Sequence, residues 1–468
     1  MQLRDALDDI HARGAELVIV GNGATHFARA FRKEFELEGP LLVDPELRAY
    51  RAAGLRRGRV ELLSPRLPFH ALRALRSGSR QTAVEGDAWQ LGGVFVLSKG
   101  GDLLFEHRSR EAGDHAAIED VLAALDPAAP PLDETPASDP WSRAAGRVLS
   151  RLVDPTVVAS FDRTGFRIHA LDFEPGALDV SMAGRRCLVT GANAGLGYET
   201  SLALADLGAD VVLLCRSAER GEAAAERIRA ATGNAGVSCV EVDLSDLASV
   251  RAAAAGLSEQ PVDVLVHNAG SLSDEPVYTN EGLEQTLATH VVGPHLLTRL
   301  LLPALARAPL ARVIWVASGG MYTQRLCLDG PPFLEEADAE ESSFDGVRAY
   351  AQAKRAQVIL AERWADELRD TSVRVNAMHP GWADTAGVRE SLPLFHRVTQ
   401  AILRTPAEGA DTIVWLAASE AAAEPTGRFF FDRRPRSTYW LPGTRETESD
   451  RATLWERCEA WADAGLAE

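Results

Sequence analysis

The chain has 468 residues, 46% of them hydrophobic and 25% charged, which excludes a wholly disordered protein and leaves room for two or three domains. With 49 Lys+Arg against 67 Asp+Glu the net charge is −18, a balance that argues against a nucleic-acid footprint or an anionic-membrane surface. No run approaches the ~18 consecutive apolar residues of a membrane span. The opening MQLRDALDDIHARG lacks the basic-then-apolar layout of a signal peptide, and five cysteines without a CxxC offer neither a disulfide framework nor a metal site. The cytoplasm is therefore the expected compartment.

Taken in chain order, RDALDDIHARG predicts an amphipathic helix and AELVIVG a buried strand. THFARAFRKEF reads as a helix, PLLVD as a strand, VFVLSKGGDLLFEHR as a hairpin turning at Gly100-Gly101, and HAAIEDVLAALD as a closing helix. Residues 1–126 thus form a small α/β unit, and the Pro-, Ala- and acid-rich stretch at 127–146 a linker. From 147 to 445 short apolar runs alternate with helical stretches: CLVTG, VVLLCR, SCVEVD, VDVLVHNAG, ARVIWVASG and VRVNAMHPG. That is the pattern of a doubly wound parallel sheet. A helix within 446–468 ends the chain.

Between the first of these strands and an Ala/Leu-rich helix stands Thr190-Gly191-Ala192-Asn193-Ala194-Gly195-Leu196-Gly197. Such a turn lets a backbone approach a pyrophosphate, whose charge rests on helix N-terminal amides. The next strand ends in Cys215-Arg216, a neutral tip followed by a guanidinium, which suits a 2′-phosphate and so NADP(H) over NAD(H). Asp243-Leu244 ends the third strand, where the acid either meets a cofactor or caps a helix, and His267-Asn268-Ala269-Gly270 ends the fourth. Tyr350 and Lys354 share a helix face at i and i+4. An ammonium ~5 Å from a phenol contributes about 3 kcal/mol at an effective dielectric of ~20, roughly two pKa units, enough to bring the phenol into range for acid/base work. The chain holds only three lysines, which makes this pairing more telling.

This series resembles the short-chain dehydrogenase/reductase family, through TGxxxGxG, the NAG turn, Ser318 after the fifth strand, YxxxK, and Pro380-Gly381 with Thr385, all in family order over about residues 183–430. The resemblance implies a Rossmann-type fold and hydride transfer between a nicotinamide and a carbonyl or alcohol carbon of a small molecule. Ser318 would hold the substrate oxygen, Tyr350 would exchange the proton, and Lys354 would lower the Tyr pKa and hold the nicotinamide ribose. Thr190, Gly191, Asn193, Gly195, Leu196, Gly197, Arg216, Asp243, Leu244, Asn268, Ala269, Gly270, Tyr350, Lys354, Pro380, Gly381 and Thr385 would contact the cofactor. His290 stands where the family has an Asn whose carbonyl anchors a water; the carbonyl survives the exchange and the imidazole could relay protons, or the helix could lose its kink and turnover fall. FDRTGF (161–166), SGGMY (318–322) and GRFFFDR (427–433) look like the member-12 branch of the family. Leu392, Leu394 and Phe395 are either a lid over a hydrophobic substrate or ordinary helix core.

AELVIVGNGATHFARAF, PLLVDPELRAYRAAGLRRG and GGVFVLSKGG resemble a peroxiredoxin-like (AhpC/TSA) segment of the thioredoxin superfamily. No cysteine precedes Cys187, so the thiolate of peroxidase chemistry is missing. Either the module is a relic or its first strand lies upstream; the latter is the expectation. Gly21-Asn22-Gly23 with Asp44 mimics a second dinucleotide fingerprint but has His26 in place of its third glycine. Two other readings stay open: a catalytically weak NADP(H)-binding sensor or scaffold, and an NADPH-linked redox fusion dependent on an upstream cysteine. Homo-oligomers are compatible with all three.

Overall fold

A computed structural model describes residues 160–330, 344–385, 402–440 and 443–463 continuously. It also describes 6–21, 41–44, 92–97, 103–109, 116–125 and isolated positions at 53, 55, 150, 154, 332, 333, 389, 396, 397, 399 and 400. Two compact units divide the chain, 1–136 and 137–468.

In the first unit α1 (Leu7–Ala12) precedes the short strands β1 (Ile19–Gly21) and β2 (Leu41–Val43), which pair in parallel. The strands β3 (Gly93–Leu97) and β4 (Leu103–Arg108) pair antiparallel, and α2 (Ile118–Ala124) follows. A small cluster of Val96, Ala116, Val121 and Ala124 is buried there. The expected turn at Gly100-Gly101, the THFARAFRKEF helix, the Gly23–His26 stretch and the linker lie outside the described residues.

The second unit begins with α3 (Arg163–Ala170), capped by Asp162, and builds β5 (Arg186–Thr190), α4 (Gly195–Asp206), β6 (Asp210–Cys215), α5 (Ala218–Thr232), β7 (Val237–Glu241), α6 (Leu247–Leu257) and β8 (Val264–His267). It continues with α7 (Gly293–Leu305), β9 (Ala311–Val316), α8 (Gly346–Glu367), β10 (Val373–Met378), α9 (Pro406–Ala418), β11 (Phe429–Phe431), β12 (Arg434–Pro435) and α10 (Glu448–Asp463). The strands order β12-β11-β10-β9-β8-β5-β6-β7, parallel except for the antiparallel β12. Because the chain winds outward in both directions from the β5–β8 boundary, a crevice opens there at the strands' carboxyl ends.

Strand periodicity sorts the core onto two faces. Leu188, Leu265, Val313 and Trp315 point into the cluster holding α6, α7 and α8, whereas Val189, Val266, Ile314 and Val316 point to the side of α4, α5 and α9. Local chemistry fixes the helix ends. Ser217 caps α5, which stops at Gly233 with φ +72°, and Thr405 and Glu408 form a capping box ahead of α9. The 22-residue α8 is buried along most of its length, partly by α10, whose Leu454, Cys458 and Ala462 are fully buried. One residue past Lys354, Arg355 donates to the buried Glu446 at 2.7 Å, so the catalytic-helix candidate is tied to the segment that leads into α10.

Candidate active site

The glycine turn needs its glycines. Gly191 and Gly195 have φ of +64° and +58°, in the left-handed region. A Cβ on Gly191 would stand 2.8 Å from the Ala269 Cα, so the turn lies directly against the Asn268-Ala269-Gly270 turn. The Thr190 hydroxyl knits the two together: it donates to the Val266 carbonyl at 3.2 Å and accepts from the amides of Asn268 and Ala269, each at 2.9 Å. Asn268 Nδ2 returns a bond to the Thr190 carbonyl at 2.9 Å.

These turns open a cleft of about 330 Å³. Of the residues singled out in the sequence, Thr190, Gly191, Asn193, Gly195, Leu196, Arg216, Asp243, Leu244, Asn268, Ala269, Gly270 and Thr385 line it. Gly197 stands back from the lining: a Cβ there would lie 2.5 Å from both Asn268 Nδ2 and the Gly191 carbonyl, so this glycine serves close packing. Pro380 and Gly381, just before Thr385 in the chain, also lie outside the lining, as do Tyr350 and Lys354. Ala194, Leu214, Arg220, Val242, Ser271 and Thr289 complete the wall without having been picked out. For Arg220 a signal existed, since it follows Arg216 by four residues across the helix start. The two exposed guanidiniums give this corner a doubled positive charge. Asp243 lines the cleft and does not cap α6, whose N-cap is Asp246; its Oδ1 instead accepts from the Ser245 amide and hydroxyl at 2.9 and 2.6 Å.

The reacting centre is assembled from β9 and α8. Ser318 follows β9, its Oγ accepting from the Gly320 amide at 3.2 Å, and its side chain acts on the Tyr350 phenol, working to lower its pKa. Lys354 lies one helical turn further, with Nζ 5.5 Å from the Tyr350 ring centroid and donating to the Val316 carbonyl at 2.8 Å. The electrostatics differ from the sequence expectation. Burial raises the Tyr350 phenol, against which Ser318 works downward, and burial lowers Lys354 to about 7. In so dry a place, desolvation penalises both charged forms more than the ammonium can help the phenolate.

His290 sits in a π-helical turn, Ala288–Val292, just ahead of α7, so the helix keeps an irregularity here instead of straightening. Its ring meets Tyr350 edge to face at 5.3 Å, and its Nε2 is 2.8 Å from the Ser271 carbonyl and 3.0 Å from the Ser271 amide. Burial, with the Lys354 charge, drives its pKa well below the ordinary value despite the Ser271 bond, so the ring is neutral and poorly suited to carry a proton as a cation. The His290 carbonyl already accepts from the buried Gln357 Nε2 at 2.8 Å. His267, first in the NAG turn, is a buried structural residue: Thr298 Oγ1 donates to the Pro294 carbonyl and lies 2.7 Å from the ring's Nε2. Leu392, Leu394 and Phe395 lie outside the described residues.

A model of the short chain dehydrogenase family matches residues 185–325, and a model of the AhpC/TSA antioxidant enzyme family matches residues 2–111. The first unit is accordingly thioredoxin-like. Dehydrogenase/reductase SDR family member 12 of Bos taurus is 41% identical over 291 residues, 62% of this chain and 89% of its own length. Human dehydrogenase/reductase SDR family member 13 is 38% identical over 300 residues, covering 62% and 76%. Human retinol dehydrogenase 14 is 34% identical over 338 residues, covering 67% and 96%. The family model's span takes in the glycine turn and Ser318, and with relatives 41% and 38% identical over 89% and 76% of their own length the chain belongs to the short-chain dehydrogenase/reductase family.

Proposed function

We propose that the second unit is an NADP(H)-dependent oxidoreductase that interconverts an alcohol and a carbonyl on an apolar small molecule. The observation that carries this reading is Tyr350 with the Lys354 ammonium 5.5 Å from its ring and Ser318 acting on its phenol, beside a cleft whose β6–α5 corner bears Arg216 and Arg220. The residues fit a dinucleotide: left-handed glycines bare the turn's backbone, α4 begins there, and a forked pair of guanidiniums suits a 2′-phosphate. When bound, a nicotinamide supplies the hydride or accepts it. Ser318 holds the substrate oxygen, and the Tyr350 hydroxyl delivers or removes the proton on that oxygen. Lys354 orients the site from the buried side, held by its bond to the Val316 carbonyl.

An apolar substrate is supported by the aromatic side of the site. Phe161 packs against Gly319, the neighbour of Ser318, where a Cβ would fall 2.6 Å from its ring. Trp440, 39% exposed, stacks on Tyr322 at 4.6 Å and on Phe161 at 5.5 Å.

NADPH oxidation with a panel of aldehydes and ketones tests the reading. Tyr350→Phe is expected to lower turnover about 10³-fold while the NADPH Kd changes less than about threefold. Unchanged turnover in that variant excludes the mechanism. Tight NADPH binding with no oxidation across the panel favours the sensor reading, to which the raised Tyr350 pKa lends weight.

A further inference from the structure

The loop after β10 is held by a buried ionic assembly that the reaction described above does not use. Arg404, 1% exposed, donates through Nη1 and Nη2 to the two carboxylate oxygens of Asp432 at 2.6 and 2.9 Å. The same guanidinium donates to the carbonyls of Ser160, Phe161, Asp162 and Pro380, at 2.9, 2.9, 3.1 and 3.3 Å. Asp432 also faces His169 Nδ1 at 2.5 Å, and His169 Nε2 meets Asp154 at 2.9 Å. A neutral imidazole has one N–H, whereas here both ring nitrogens face carboxylates, so His169 is held as a cation. Arg436 answers Asp154 at 2.6 Å.

Asp432 reaches this position through a strained turn. It and Arg433 are the two non-glycine residues with positive φ among those described, +48° and +58°. The backbone around Arg404 does the rest. The Trp382 amide donates to the Phe161 carbonyl, the Arg404 amide to the Trp382 carbonyl and the Asp384 amide to the Arg404 carbonyl, each at 2.8 Å. Gly381 has φ +73°, and a Cβ there would fall 2.5 Å from the Arg404 Cζ, so the guanidinium packs directly against the loop. The loop ends at Thr385, which lines the dinucleotide cleft and whose Cγ2 lies 3.4 Å from where a Gly195 Cβ would be.

We infer that Arg404, clamped by Asp432 and His169, is a positioning residue that sets the Pro380–Thr385 loop against the cleft and thereby the nicotinamide end of the cofactor. The inference rests on the dinucleotide reading above, and it divides the cleft in two. The corner of Arg216, Arg220 and Asp243 holds the adenosine half without the clamp, whereas the Thr385 side depends on it.

Two probes separate the halves: NADPH, and adenosine 2′,5′-bisphosphate, which carries the phosphorylated ribose but no nicotinamide. Arg404→Lys keeps the charge and loses the fork. It is expected to weaken NADPH about tenfold while the bisphosphate Kd stays within about twofold. His169→Asn should move NADPH in the same direction by a smaller factor. Equal weakening of both probes, or none of either, overturns the inference, because general loosening of the fold does not discriminate between them. Wild-type protein that binds neither probe removes the dinucleotide reading itself. Should both variants fail to fold, amide hydrogen exchange of the wild type decides. Trp382, Asp384 and Arg404 are expected to exchange as slowly as the β9 and β10 amides, and exchange at the rate of an open loop overturns the clamp.

Discussion

The two sides of the cleft are built on opposite principles. The corner made by β5, β6 and β8 consists of short contiguous turns: Thr190–Gly197, Cys215–Arg220 and His267–Gly270 each carry their own geometry, and a few hydroxyl and amide bonds join them. The corner made by β10 and β11 is drawn together from residues far apart in the chain, with 160–162, 380–385, 404 and 432 meeting around one buried guanidinium. The first kind of site tolerates loss of a side chain because its backbone is set by glycine conformation. The second transmits any loss to the whole loop, because breaking a buried pair strands a charge.

The largest effect that contrast predicts is on stability. Asp432→Ala leaves Arg404 without its carboxylate and is expected to cost about 3–5 kcal/mol in denaturant unfolding. A loss under about 1 kcal/mol would show that the carbonyls alone satisfy the guanidinium and would erase the distinction between the corners. Next comes Lys354. Its folded-state pKa lies near 7 because of burial, below its ordinary value of 10.5, so the unfolded chain binds more protons between those limits. Stability from this group therefore rises with pH from about 7 to 10.5 and is flat below. Comparing wild type with Lys354→Met between pH 7 and 10 should reveal a differential of roughly 3 kcal/mol, with the wild type gaining toward high pH. A parallel pair of curves would mean that the ammonium is hydrated. The smallest effect belongs to the local corner: Arg216→Ala and Arg220→Ala, both at exposed positions, should each weaken NADPH about tenfold, leave NADH little changed and shift the unfolding midpoint hardly at all.

The same contrast explains what could be read from the sequence. The doubly wound sheet, the glycine turn, Arg216, Asp243 and the Tyr350–Lys354 spacing are encoded within windows of a few residues, where periodicity and turn chemistry speak directly. Arg404 was invisible because its meaning depends on Asp432 and on carbonyls some 240 residues upstream; the one hint was a lone charge in the otherwise apolar AILRTP. His169 likewise looks like an ordinary helix residue in RTGFRIHA until Asp154 and Asp432 close on it. Electrostatics failed in a related way. The i, i+4 spacing placed the ammonium near the phenol, but the depth of burial that sends the Tyr350 and Lys354 pKa values toward their neutral forms is a property of the whole packed layer.

The bond from Arg355 to Glu446 has a bearing on how the enzyme comes into being. Helix α8 carries Tyr350 and Lys354, and the next residue's guanidinium is ion-paired with Glu446, on a segment made some 90 residues later. During synthesis the glycine turn and β5 to β8 emerge while α8 still lacks that partner, so on the function proposed above a nascent chain would gain its nucleotide turn before a settled proton donor. Competence for chemistry arrives last, with the closing of the tail.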